Sequence, residues 1–159
     1  MKATHAAIQE FLALLSDTPR QLLSLVVRLD ESQLYTAPAK KNWSASEILA
    51  HMRSCADVWT YSIYAMLTEE QPILPDINER KWAKVTGYAR LPIPLSLQAF
   101  TFQREELIRV LCGLPFEGWE RSALIFERRH TVFSQARRMA LHEQEHVEQM
   151  GQLVKKSQI

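Results

Sequence analysis

The sequence predicts an all-α protein, a four-helix bundle forming one domain over residues 1–159, with a long connection between its second and third helices. Three features point there. Prolines and glycines stand only at positions 19, 38, 72, 75, 87, 92, 94, 113, 115, 118 and 151, which leaves long uninterrupted runs between them. Within those runs apolar residues recur every three or four positions, the spacing of a helix that buries one face. Alternation of period two is nearly absent, and only Trp119 to Phe126 reads as a short strand or extended link. A chain of 159 residues is one ordinary domain, large enough to bury a core without disulfides.

The first helix is expected from Thr4 to Leu29, burying Ile8, Phe11, Leu12, Leu15, Leu22, Val26 and Leu29. Thr18-Pro19 inside it predicts a kink or a fresh N-cap, because proline lacks the N–H that the helix interior needs. Ser44-Ala45-Ser46-Glu47 is a capping box that opens the second helix, with Trp43 just ahead as its apolar staple. The inward seam of that helix is Ile48, His51 or Met52, Cys55, Trp59, Ile63 and Met66, near the 3.5-residue spacing that suits bundle packing. The stretch Gln71 to Pro94, rich in proline and charge, is the long crossover or lid, with a short helix around Asn78 to Val85. A third helix runs from Ser96 to Leu111 or Cys112, where Gly113 and Pro115 stop it. The fourth runs from Thr131 to Lys155, with the seam Met139, His142, His146, Gln149 and Leu153 facing inward.

A net charge of +1 supplies no basic field for a nucleic-acid backbone or an anionic membrane, and no window approaches a membrane span. No nucleic acid and no membrane are expected as partners, and a soluble, cytoplasmic protein is. Cys55 and Cys112 lack CxxC spacing and are expected as free buried thiols.

His142-Glu143-Gln144-Glu145-His146 carries the chemistry. Two imidazoles four residues apart lie one helical turn apart and can grip one metal ion. The zinc-protease pattern H-E-x-x-H would take a third ligand from later sequence, but only thirteen residues follow His146 and none closes the site. The third ligand therefore lies upstream, and His51 on the second helix is the candidate. His51, His142 and His146 would form a three-histidine centre with one exchangeable position, the pattern of a catalytic ion. The rival is three buried histidines bonded to their neighbours, and each would then need its own partner in a dry core. Zinc or nickel fits imidazole best, with iron as a third choice. Glu143 is the candidate catalytic residue, a carboxylate that supports the ligands or acts as general base near bound water; the alternative is a solvated side chain on the flank. Glu145 and Glu148 are expected on the outer face, pairing with residues such as Arg138 and Lys155. Arg128, Arg129, Arg137 and Arg138 form a local basic cluster that could receive a substrate carboxylate or simply be solvated. Glu143 to His146 is a Glu-x-x-His pair without a second copy, so a mononuclear site is favoured over a di-iron one.

Trp43-Ser44-Ala45-Ser46-Glu47-Ile48-Leu49-Ala50-His51-Met52, followed far downstream by the His142 and His146 pair and Gln149, resembles the DinB/YfiT-like superfamily. The resemblance implies a four-helix bundle holding a divalent metal, commonly nickel or zinc, through histidines matching His51, His142 and His146. Members with activity are similar to transferases that use a low-molecular-weight thiol, so the leading expectation is a thiol-dependent S-transferase acting on a small electrophile. A metal-dependent hydrolase of a small amide or ester is the alternative, and a non-catalytic metal-binding homodimer is the third reading.

Overall fold

The computed structural model describes residues 2–40 and 42–156, so the single-domain assignment over 1–159 extends at both ends beyond the described residues. In chain order the elements are α1 (His5–Val26), the short α2 (Glu31–Tyr35), α3 (Ala45–Thr68), β1 (Ile73–Leu74), α4 (Glu79–Thr86), α5 (Ile93–Cys112), β2 (Ser122–Ile125), β3 (Arg128–Thr131) and α6 (Val132–Lys156). Single 3-10 turns at Tyr88–Arg90 and Phe116–Glu120 join them. α1 and α3 each pack against both α5 and α6, so the four long helices form a ring in the order α1, α5, α3, α6. This is a four-helix bundle, and the long connection between its second and third long helices carries β1 and α4. Among the described residues no helix is long and apolar enough to cross a membrane.

Local chemistry explains where the helices start. The Thr4 hydroxyl accepts from the Ala7 N–H at 3.2 Å. Ser44 caps α3 as a full capping box: its N–H donates to Glu47 Oε2 at 2.8 Å, while the Glu47 N–H donates back to Ser44 Oγ at 3.4 Å. α5 begins at Ile93, three residues earlier than the sequence suggests, because Pro94 is tolerated in a first turn whose N–H groups have no helical partner.

Pro19 does not break α1. The helix runs through it unbroken, since Leu15 and Leu22 on either side are both fully buried and hold one continuous face against the bundle. The neighbouring Thr18 hydroxyl donates to the Leu14 carbonyl at 3.0 Å. At its far end α1 stops at Val26, short of the buried Leu29.

The other departure from pure helix is a three-stranded sheet in the order β1-β2-β3, with Ile73 opposite Leu124 in parallel and Ala123 opposite His130 antiparallel. β2 occupies the stretch that reads as extended in the sequence; β1 and β3 are too short to show any alternation. The turn between β2 and β3 is Phe126-Glu127, both at positive φ (45° and 60°), a two-residue hairpin turn usually made by Asn or Gly.

Buried apolar side chains fall into two clusters along the bundle. One holds Leu15, Cys55, Trp59, Leu107, Met139 and Ala140; the other holds Leu22, Met52, Phe100, Met150 and Leu153. Three buried polar residues fall between them in their own helices: Thr18 on α1, Arg104 on α5 and Glu143 on α6. Each fully buried large side chain contributes on the order of 1.5–3 kcal/mol, so the polar layer is held between two strong apolar ends. Leu107→Ala is expected to cost about 2–5 kcal/mol and Ser44→Ala about 1 kcal/mol, both read as shifts of the urea midpoint.

Candidate metal centre

His51 comes from the second turn of α3, placed there by the Ser44 cap. His142 and His146 come from one face of α6, one turn apart. The three rings meet in the seam between these helices. Nε2 of His142 lies 3.1 Å from Nε2 of His51 and 3.1 Å from Nε2 of His146. One nitrogen from each ring can be chosen so that all three lie within 4.8 Å of one another.

Two tryptophans wall the cluster. Trp43 lies 5.0 Å from the His51 ring and stacks at 5.9 Å over His146, and Trp59 meets His142 edge-on at 4.9 Å. Burial in these surroundings disfavours the imidazolium. It is the largest cause pushing His51 down to about 4 and His142 to about 3, with His146 adding repulsion to both. Burial lowers His146 too, opposed by its hydrogen bond to Gln149. All three are therefore neutral at physiological pH, the form that binds metal.

The donor set fits a divalent cation. Nδ1 of His146 faces Gln149 Oε1 at 2.8 Å, so Nδ1 carries the proton and Nε2 presents its lone pair to the cluster. The Nε2 of His142 stands between two other ring nitrogens and can donate to only one of them. A tetrahedral ion with metal–nitrogen bonds near 2.05 Å would set its ligand nitrogens about 3.3 Å apart, close to the 3.1 Å found for the two pairs that share His142, with the third pair within 4.8 Å. Three lone pairs on one cation resolve a crowding that hydrogen bonds alone do not.

Glu143 does not join the imidazoles. It is 2% exposed and forms an ion pair with Arg104 of α5, itself 2% exposed. One residue on from His142, its side chain leaves α6 about 100° round the helix, toward the interior. Burial raises its carboxyl to about 7, with Arg104 pulling the other way. Glu143 thus stands in a buried salt bridge through one oxygen, with Oε2 unpartnered, and the solvated alternative fails.

Other side chains also reach this region. Cys55 is buried as expected, but its Sγ lies 3.6 Å from His51 Nε2 and 4.0 Å from His142 Nε2. Burial pushes its thiol up to about 12. Glu79, at the start of α4, accepts a hydrogen bond from the Trp59 indole at 2.9 Å and stands 3.5 Å from Arg138, whose guanidinium lies 4.3 Å over the Trp59 ring. Trp43 and Trp59 were legible as a staple and a seam residue; Glu79 and Arg138 meet only because α4 folds back on α3. Glu145 and Glu148 are exposed as expected, although the ion-pair partner of Arg138 is Glu79. Cys112 is exposed rather than buried, because it ends α5 on the outer side of Leu111. A groove of about 700 Å³ is lined by α1 and α5, away from the imidazoles, and Arg104 is among its lining residues.

The family model for the DinB superfamily matches residues 14–150. The chain belongs to the DinB superfamily. Within the superfamily it is similar to a protein of Oceanobacillus iheyensis provisionally named a metal-dependent hydrolase, 29% identical over 75% of this chain and 69% of that one. A relative of Halalkalibacterium halodurans with the same provisional name is 30% identical over 72% of this chain and 67% of that one. Among solved structures, YfiT from Bacillus subtilis, described as a probable metal-dependent hydrolase with an unusual four-helix bundle topology, superposes at a TM-score of 0.88. The superposition covers 98% of this DinB-superfamily chain and 90% of YfiT at 16% identity, a likeness of fold.

Removing the Gln149 side chain should free the His146 ring to turn and to change tautomer. Gln149→Ala is expected to weaken zinc binding by about 10–100-fold with little change in helix content, as measured by competition with a chromophoric chelator.

Proposed function

We propose that this chain is a metal-dependent hydrolase of a small amide or ester, with a divalent ion held by His51, His142 and His146. The observation that carries the proposal is the convergence of three neutral imidazole Nε2 atoms in an aromatic-walled seam. The provisional names of the relatives favour hydrolysis over the thiol transfer that the sequence resemblance implies, and hydrolysis takes its place. Zinc and nickel suit three nitrogen donors best, with iron a third candidate.

When bound, a divalent ion at such a centre supplies Lewis acidity, making water a nucleophile near neutral pH and polarising a carbonyl. The rest falls to the chain's own side chains. Burial keeps the three imidazoles unprotonated. Trp43 and Trp59 exclude solvent on two sides and lower the local dielectric, which strengthens every charge interaction there. Two carboxylates stand near the centre for acid–base work: Glu143, one oxygen of which is engaged with Arg104, and Glu79, held by the Trp59 indole and Arg138. Arg138, stacked on Trp59, offers a cation to an anionic part of the substrate.

Purified protein is expected to carry about one divalent ion per chain, since three imidazoles with one open position describe a single catalytic centre. His51→Ala should lose that ion by elemental analysis. Loaded protein should hydrolyse members of a panel of small esters and amides, lose the activity to a chelator and regain it with zinc or nickel. Silence toward the whole panel, with turnover of a small electrophile only when a low-molecular-weight thiol is present, would refute hydrolysis and restore thiol transfer.

A further inference from the structure

We propose that the buried pair of Arg104 and Glu143 is a positioning device for the metal ligands, setting the rotation of α6 so that His142 and His146 face His51; this rests on the metal-centre reading above. Both side chains are 2% exposed inside the apolar bundle. Arg104 Nε and Glu143 Oε2 have no partner there, which adds to the desolvation cost. Apolar residues of similar volume in place of a buried pair are often neutral or stabilising, so stability alone gives no reason to keep these charges.

Their placement gives one. Glu143 directly follows His142, so the direction of its carboxylate and the direction of the imidazole are locked together by helix geometry. Arg104 lies on α5, diagonally across the ring from α6, and Thr18 of α1 meets the residue that follows Glu143. Gln144 Nε2 donates to Thr18 Oγ1 at 3.4 Å. Two other helices thus hold α6 at the level of its first ligand. A side-chain tip stands roughly 6 Å from the helix axis, so a 10° roll of α6 moves it about 1 Å, whereas metal sites tolerate about 0.2 Å. The polar layer also lies where the two apolar clusters of the core meet, so no single block of side chains spans the level of the ligands.

The test compares wild type with the double variant Arg104→Met, Glu143→Leu, by circular dichroism, thermal unfolding and zinc affinity against a competing chelator. The double variant should keep its helical signal and melt at or above the wild-type temperature, yet bind zinc about 10–100-fold more weakly. That split is the signature of positioning, because a merely stabilising pair would move the melt and leave the affinity alone. Arg104→Met with Glu143→Gln, also uncharged, serves if the first variant loses its fold. A folded double variant within roughly threefold of wild-type affinity, well inside that range, overturns the proposal. Failure of both double variants to fold overturns it too, since the pair would then be a determinant of folding. Absence of zinc binding by the wild type would bring down the metal-centre reading itself, and is distinguishable from either result.

Discussion

The convergence of three ring nitrogens from two helices is the constraint on which the rest of the molecule depends. His142 and His146 are one turn apart, so α6 brings them together unaided; His51 must be delivered to the same point by a separate helix more than ninety residues away in sequence. The start of α3 therefore matters as much as the histidine itself. Ser44 and Glu47 fix where that helix begins, Trp43 folds over the two rings nearest it, and His51 falls four residues beyond Glu47 on the side that faces α6. A cap, a staple and a ligand lie within nine residues, so the local structure that starts the helix also aims its ligand.

Charge around the cluster is arranged in opposed pairs. Glu143 meets Arg104 on the interior side and Glu79 meets Arg138 on the α4 side, while the ring nitrogens themselves are neutral. Three neutral ligands would leave the charge of a bound dication undiminished, and carboxylates already paired with guanidiniums would diminish it little. Aromatic walls then keep water from screening what remains. This favours strong Lewis acidity over tight ionic binding, and it is why the chemistry is better read from the partners of the histidines than from the histidines alone.

Much of this was legible in the sequence, for identifiable reasons. A capping box and a pair of histidines at i, i+4 are local signals, complete within one turn of helix, and both reappear in the structure as written. Pro19 opens no new helix, because tertiary burial of Leu15 and Leu22 outweighs one missing hydrogen bond. β2 falls in the one stretch that reads as extended, but its pairing with β3 leaves no trace because Phe126-Glu127 makes a turn with residues that carry no turn signal, and β1 and β3 are too short to show a period. Cys112 shows the limit of reading burial from residue type at a helix end, where one position separates inside from outside.

Glu143 shows a different limit. A motif written as His-Glu-x-x-His invites a catalytic role for its glutamate, but a motif gives spacing along one helix and says nothing of what stands opposite the residue in between. Here an arginine of α5 stands opposite, thirty-nine residues earlier and with no pattern linking the two. Substituting Glu143 alone would strand a buried guanidinium, at a cost of about 3–5 kcal/mol, and any loss of turnover would follow from that as readily as from a missing base. Only replacing both charges together separates what the carboxylate does for the helix from what it does for the chemistry.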